Sequence, residues 1–474
     1  MNVSSSSRNG LALKKKLINP APSRKEHQPP PQQQQLKPEE PQKPTPQISN
    51  EEINVQLLEN QNCSPYRYMH EKLTDRMQGA LDEQIEYFIK LFKKCYSDKE
   101  IFDPSRPNQE PITTVGRVCC DSEGKLNTGS IVLETSQSLG RRRRVRLSLR
   151  EVQSFSLFPG QIIAVDGINI TGNVLDVSKI YKLPLLPMPV TSTAEIMSYN
   201  YGKARLNGEE MTVIVAAGPF TTESNLNFEP FAQLMENMKS IRPDVLILMG
   251  PFIETDHTLI KSGEIDYTLE NIFSRFISYP IRHFIKSSPA SQIIMIPSVK
   301  DITHYDTVFP QPPFEQASIN SLGLPQGVIF YPNPAQFRVN EIVFGVGANE
   351  IISHLSGAEC QRNITTERMI QLCRHVLEQQ SFYPIFPPYG GVNLSLTHSD
   401  RLKLEILPDV LILPSRHLQY FVKVVEGVLC INPASLAKNT FVKMTVKPIN
   451  RDGAKNEQVQ HQIKERTKVE IIKI

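Results

Sequence analysis

The chain is 474 residues long, 39% hydrophobic, with a formal net charge of +3 and seven cysteines, a length that accommodates two to three domains of roughly 150 residues each. So even a charge balance gives no argument for nucleic acid or a membrane as the main partner, and no apolar run approaches the ~18 residues of a membrane span. With no Cys-x-x-Cys pair, no Cys/His cluster at zinc spacing and no apolar signal-peptide core at the N-terminus, a soluble, unsecreted protein with reduced thiols is expected.

Residues 1–62 read as a disordered tether. Asn19 to Ser49 is dense in Pro and Gln, with prolines at 29–31 and glutamines at 32–35, and carries too few large apolar groups to offset the entropy of ordering. Lys14-Lys15-Lys16 reads either as a solvated charge run or as a weak nuclear-import signal, and Thr45-Pro46 is a minimal proline-directed phosphorylation site. Residues 63–104 read as an amphipathic helix linker. From Tyr66 to Tyr96 the apolar positions Tyr66, Met69, Leu73, Met77, Leu81, Ile85, Phe88, Ile89 and Phe92 recur every three to four residues, which predicts a helix whose apolar stripe packs on the chain's own domains.

Residues 105–187 carry five short stretches rich in β-branched residues: 113–119, 130–135, 144–149, 161–170 and 174–181, punctuated by turns at 121–125, Pro159-Gly160 and Thr171-Gly172. Five strands in so short a span predict a small OB-type barrel. The run Arg141, Arg142, Arg143, Arg144, with Arg146 and Arg150 nearby, is a candidate nucleic-acid contact. However, no Phe, Tyr or Trp lies between Thr113 and Arg150, and stacking on such rings supplies much of single-strand affinity. A solvated loop or a protein contact is the competing reading.

After a Pro-rich hinge at 183–189, residues 188–474 alternate between strand and helix patterns. Strands are predicted at 212–217, 245–249, 292–296, 327–331, 341–347, 410–413, 428–431, 441–446 and 469–474, and helices at 228–241, 267–285 and 365–380. The order describes an α/β domain, and so many late strands predict two sheets packed face to face. The strand at 245–249 is a fully apolar run ending in Gly250-Pro251, and in α/β folds the turn after such a strand is where ligands bind.

At these residues the chain resembles the B-subunit family of DNA polymerase alpha. The resemblance runs from about Tyr66 to the C-terminus and rests on Val115-Gly-Arg-Val118, the turn 121–127, Leu157-Phe-Pro-Gly-Gln161, Ala217-Gly-Pro-Phe220, Arg242-Pro-Asp-Val245, Gly250-Pro-Phe252, Ile296-Pro-Ser-Val-Lys-Asp301, residues 309–314, and the segment 408–415 followed by 420–423. It implies an OB-type barrel joined to a calcineurin-like phosphoesterase sandwich that has lost its metals. The implied function is that of a non-catalytic nuclear scaffold supporting primer synthesis. Its implied partners are the C-terminal zinc-binding domain of the polymerase catalytic subunit, the primase subunits and, as a candidate, DNA. No membrane partner is implied. The helical N-terminal domain of some family members has no counterpart in the Pro/Gln segment.

The loss of chemistry is also readable residue by residue. An active phosphoesterase of that class needs Asp-x-His after its first strand, Gly-Asp after the second, Gly-Asn-His after the third and Gly-His-x-His late in the domain, to hold two metals and a bridging hydroxide. At those places stand Ala217 and Pro219, Pro251, Ser298, and Ser415. Proline has no carboxylate, imidazole or N–H to offer. Only Glu254, Asp301 and His417 remain as ligand types, Lys300 adds a positive charge, and His257, His304 and Asp306 lack metal spacing. No metal, no cofactor and no catalytic residue is expected. The alternatives are a phosphoesterase or nuclease with atypical ligands, and a single-strand-binding barrel.

Overall fold

The computed structural model describes residues 53–58, 73–202, 206–450 and 457–474; side chains of 73–77 are excepted. The Pro/Gln segment, Lys14–Lys16, Thr45 and the side chains of Tyr66, Met69, Leu73 and Met77 in the predicted helix lie outside what is described.

Five strands close into a barrel in the order Ile112–Cys120, Ile131–Glu134, Arg144–Ser148, Val174–Tyr181, Ile162–Ile168. Its interior holds Val118, Ile131, Leu133, Val145, Leu147, Ile163, Val165 and Leu175, the inward halves of strands that alternate apolar and polar. The helix Leu73–Cys95 lays Ile85, Phe88, Ile89 and Phe92 on Val115, Ile162, Ala164 and Tyr181. Arg117, 1% exposed, fastens it by donating to Leu81 O at 2.6 Å and Gln84 Oε1 at 3.1 Å. The apolar stripe expected to pack on the chain's own domains thus covers the barrel.

The rest is a four-layer sandwich. One six-stranded sheet runs in the order Val328–Phe330, Gln292–Ile296, Val245–Met249, Met211–Ala217, Thr440–Val446, Thr467–Lys473. The other runs Val55–Leu57, Ala335–Val339, Ile342–Val346, Val410–Ile412, Val428–Asn432, Phe421–Val425. Between them Val213, Val215, Ile247, Met249, Ile294, Phe337, Phe344, Ile412 and Ile431 form one core. On the outer face of the first sheet, Ile214, Leu246, Leu248, Ile293 and Met295 pack under the helices Glu229–Ile241 and Tyr279–Ser287. Burial on both faces is why 245–249 reads as an unbroken apolar run. On the outer face of the second sheet, Leu411, Val428 and Cys430 pack under Ile351–Ala358 and Arg368–Glu378.

Two differences from the expected elements have physical causes, and a third is an addition. Residues 53–58, placed by composition in the tether, contribute an antiparallel edge strand in which Val55 faces Val339 and Leu57 faces Phe337. Ile53, Val55 and Leu57 alternate against the intersheet core, which compensates the ordering that the preceding Pro/Gln residues cannot. The helix expected at 267–285 is three pieces, Leu269–Phe273, a π-turn Ser274–Ser278, and Tyr279–Ser287. Pro280 cannot donate to the carbonyl of Phe276, and the chain loosens so that Tyr279 N–H donates to Ser274 O. Finally, Ala335–Val339, Phe421–Val425 and the helix Ile351–Ala358 are elements beyond those expected.

Barrel and sandwich are locked by paired strands and reciprocal bonds. Phe155–Leu157 pairs antiparallel with Cys360–Arg362. Gln379 both accepts from Ile162 N at 2.8 Å and donates to Ile162 O at 3.0 Å, and Phe386 N donates to Pro159 O at 3.0 Å.

Candidate functional site

Parallel pairing sets Ala217, Met249 and Ile296 at one end of the first sheet. The turns that follow, Gly218-Pro219, Gly250-Pro251 and Pro297-Ser298, therefore emerge side by side, where such sheets place ligands. Turns after Val346 and Ile412 of the facing sheet complete a cleft of about 640 Å³, lined among others by Pro219, Pro251, Ser298, Lys300, Glu350 and Arg416. The structure thus brings together Pro219, Pro251 and Ser298. Ala217 ends its strand and packs into the intersheet core. Ser415 is buried beside the cleft, its hydroxyl donating to Glu350 Oε2 at 2.6 Å.

The three residual ligand types are committed elsewhere. Asp301 is 0% exposed. Its Oδ1 accepts from the N–H groups of Phe252 and of Ile253, the latter at 3.2 Å, and Oδ2 accepts from Ser298 N at 3.0 Å. Burial pushes this carboxyl up to about 7, against the pull of those donors. The carboxylate also lies so near Gly250 that a side chain there would run into it. Asp301 thus plays the part of a clamp between two turns. Glu254 is ion-paired with Arg416, whose backbone N–H donates to Glu350 Oε1 at 3.0 Å. His417 is exposed and contacts Arg416 Nε at 3.4 Å.

Cations occupy the mouth. Lys300 Nζ sits 3.2 Å from Asp256, and Lys261 sits 2.8 Å from it. Hydrogen bonds from Lys261 and Lys300 hold the Asp256 carboxyl down at about 2. His354 lines the cleft with Nδ1 at 3.1 Å from the Tyr383 hydroxyl, and burial lowers its pKa. His257 serves the fold: its Nδ1 accepts from Leu259 N, starting the short helix Thr258–Ser262. His304 packs edge-on against Phe314 and accepts from Asp306 N. Among the described residues no group of three or more His, Cys, Asp or Glu is placed to hold a metal ion. The residues present do not fit a two-metal site: the positions that the resemblance gives as ligands hold Ala217, Pro219, Pro251, Ser298 and Ser415, Asp301 is saturated by backbone donors, and the Arg416 guanidinium covers Glu254.

Sequence reasoning misses Arg416 and Glu350 as parts of the cleft. Glu254 and Arg416 are 162 positions apart, and no local pattern couples them.

The arginine run lies away from the cleft, on the barrel, at the end of the short helix Gln137–Gly140. Arg142 is paired with Asp82 and Arg144 with Glu134. Arg146 reaches Asp121 at 3.3 Å. Arg141 and Arg143 are exposed and form no ion pair among the described residues.

A family model for the B subunit of DNA polymerases alpha and epsilon matches residues 213–423, and one for the OB domain of the DNA polymerase alpha B subunit matches residues 78–183. The DNA polymerase alpha B subunit of Schizosaccharomyces pombe is 36% identical over 435 residues, covering 86% of this chain and 73% of that protein. The chain belongs to the B-subunit family of DNA polymerase alpha. Members in Rattus norvegicus and Saccharomyces cerevisiae are each 30% identical, over 79% and 84% of this chain, and the chain spans 60% and 62% of their lengths. As a B subunit it is an accessory component of the polymerase and not its catalytic chain.

Proposed function

We propose that the chain is a nuclear scaffold of the polymerase alpha–primase assembly. Its barrel and sandwich together grip the C-terminal zinc-binding domain of the catalytic subunit, and its sandwich is a phosphoesterase fold that has given up hydrolysis. The observation that carries this reading is that protein cations hold the carboxylates at the mouth of the cleft. Arg416 pairs with Glu254 and Lys300 with Asp256 at the mouth where metals would sit. Fixed positive charge there opposes a divalent ion by Coulomb repulsion. The locked junction supports a two-domain grip, because a partner that touches both domains meets one rigid surface and loses less freedom on binding.

The test is co-purification of the full chain from cells with identification of its partners, alongside metal analysis and a manganese-dependent phosphodiester assay. Recovery of the catalytic subunit without stoichiometric metal or turnover is expected. Bound metal with turnover, and no polymerase subunit recovered, would instead make this an enzyme with atypical ligands. Pro251→Asp restores one carboxylate and leaves Ala217, Pro219 and Ser298 unchanged, so it should remain inactive in the same assay with a mild loss of stability.

Replacing the four residues Arg141, Arg142, Arg143 and Arg144 with Ser should change single-strand affinity little. Arg142 and Arg144 already face carboxylates, and no barrel aromatic is available between Thr113 and Arg150. Each phosphate contact removed would cost roughly 0.7 units of salt slope on a single strand. A loss of about two units or more on this scale would make the barrel a direct reader of DNA.

A further inference from the structure

The barrel run carries cationic charge without rings, which weakens it as a single-strand surface; another face carries both. The interrupted helix from Leu269 to Ser287 projects Arg275, Tyr279, His283 and Lys286 at spacings of three to four residues, so they share one solvent face. Of these, Arg275 and Tyr279, with Tyr267, Asn271, Ser274 and Arg282, frame a shallow concavity of about 570 Å³. Tyr267 and Tyr279 are 52% and 56% exposed. The Arg275 guanidinium lies 5.6 Å from the Tyr267 ring centre and 5.3 Å from that of Phe276, and the rings of Tyr279 and His283 are 4.4 Å apart. Arg282 is steadied by donating to Gly323 O at 2.8 Å.

Unlike Arg142 and Arg144 of the barrel run, Arg275, Arg282 and Lys286 form no ion pair among the described residues, and no carboxylate lines the concavity. Glu264, Asp266 and Glu270 are exposed and precede Asn271 in sequence, and none of them lines it. The π-turn is placed in the middle of this surface, and such turns recur at functional sites.

We propose that this face binds single-stranded nucleic acid, with bases stacking on Tyr279 and Tyr267 and phosphates paired by Arg275, Arg282 and Lys286. Open aromatic faces alternating with unpaired cations are the arrangement that takes a strand without reading its sequence. An acidic peptide would match the cations and make no use of the exposed phenol rings.

The test is fluorescence anisotropy of the full chain with a labelled oligothymidylate of about 20 nucleotides across a salt series. Tyr279→Ala should weaken binding about tenfold, as the loss of one stacked base implies, and Tyr279→Phe, which keeps the ring, should retain it. Arg275→Gln combined with Lys286→Gln should flatten the salt slope by about 1.4 units, two phosphate contacts on a single strand. Arg141→Ser with Arg143→Ser should leave both readings alone. Unchanged affinity and slope in the helix variants, with unchanged thermal midpoints, would overturn the proposal. So would a polyglutamate peptide that binds more tightly than the oligonucleotide and is lost equally in Tyr279→Ala, which would make the face a site for acidic protein segments.

Discussion

Replacing Asp301 with Ala is expected to destabilise the protein by about 3–5 kcal/mol, since it strips three buried N–H groups of a shared acceptor. Those donors, from Phe252, Ile253 and Ser298, belong to the two turns that flank the cleft. The loss should therefore appear in equilibrium denaturation and as faster amide exchange at 250–254 and 297–301. A drop below about 1 kcal/mol would mean the turns are held by their own backbone. The pH dependence has a definite sign. Burial raises the folded carboxyl to about 7 from an ordinary 3.8, so between those values the folded state binds a proton that the unfolded state does not. The stabilisation is full below about pH 4 and is lost as pH rises through about 7. Compared with Asp301→Asn, which does not titrate, the wild type should lose on the order of 2–3 kcal/mol between pH 5 and pH 8, about two pH units at roughly 1.4 kcal/mol each. Paired melts at those two pH values measure the difference, and a wild type that gains on Asp301→Asn with rising pH would reverse the assignment.

The same residue illustrates what can be read from sequence. Asp301 is visible as a ligand type in Ile296-Pro-Ser-Val-Lys-Asp301, but its commitment to backbone donors on a turn 49 residues earlier is not. The strands at 245–249 and 292–296 are fully legible because both faces are buried and the period signal reduces to a bounded apolar run. Ala335–Val339 is not, because Gln336 and Arg338 interrupt it; Gln336 is buried only because its amide spans from Ile406 O to Glu405 N. The edge strand Val55–Leu57 hides in a different way. Its alternation is short, and it stands directly after a segment whose composition argues against order. The cleft's position follows from the strand order, whereas its charge pattern depends on pairs such as Glu254 with Arg416 that meet only in three dimensions.

The junction gives the second large effect. Gly160 has φ +98°, and a Cβ there would drive into backbone atoms of Pro384, Ile385 and Phe386, so Gly160→Ala combines left-handed strain with a clash that no side-chain rotation relieves. A loss of about 3 kcal/mol or more is expected, concentrated where barrel meets sandwich, because the adjacent Pro159 carbonyl accepts from Phe386 N and Gly160 N donates to Val118 O. Gly124→Ala is the control: it lies in an exposed barrel turn where an added Cβ would meet nothing within 4 Å, and it should stay within about 0.5 kcal/mol of wild type. Denaturation curves should then split into two transitions for Gly160→Ala only, with new protease cleavage near 183–189. If the catalytic subunit's C-terminal domain is gripped by both halves, its capture should weaken in the same variant even at temperatures where each half remains folded. Capture at wild-type strength by a protein whose halves melt apart would show that one domain alone supplies the contact, and the rigid junction would then serve stability rather than assembly.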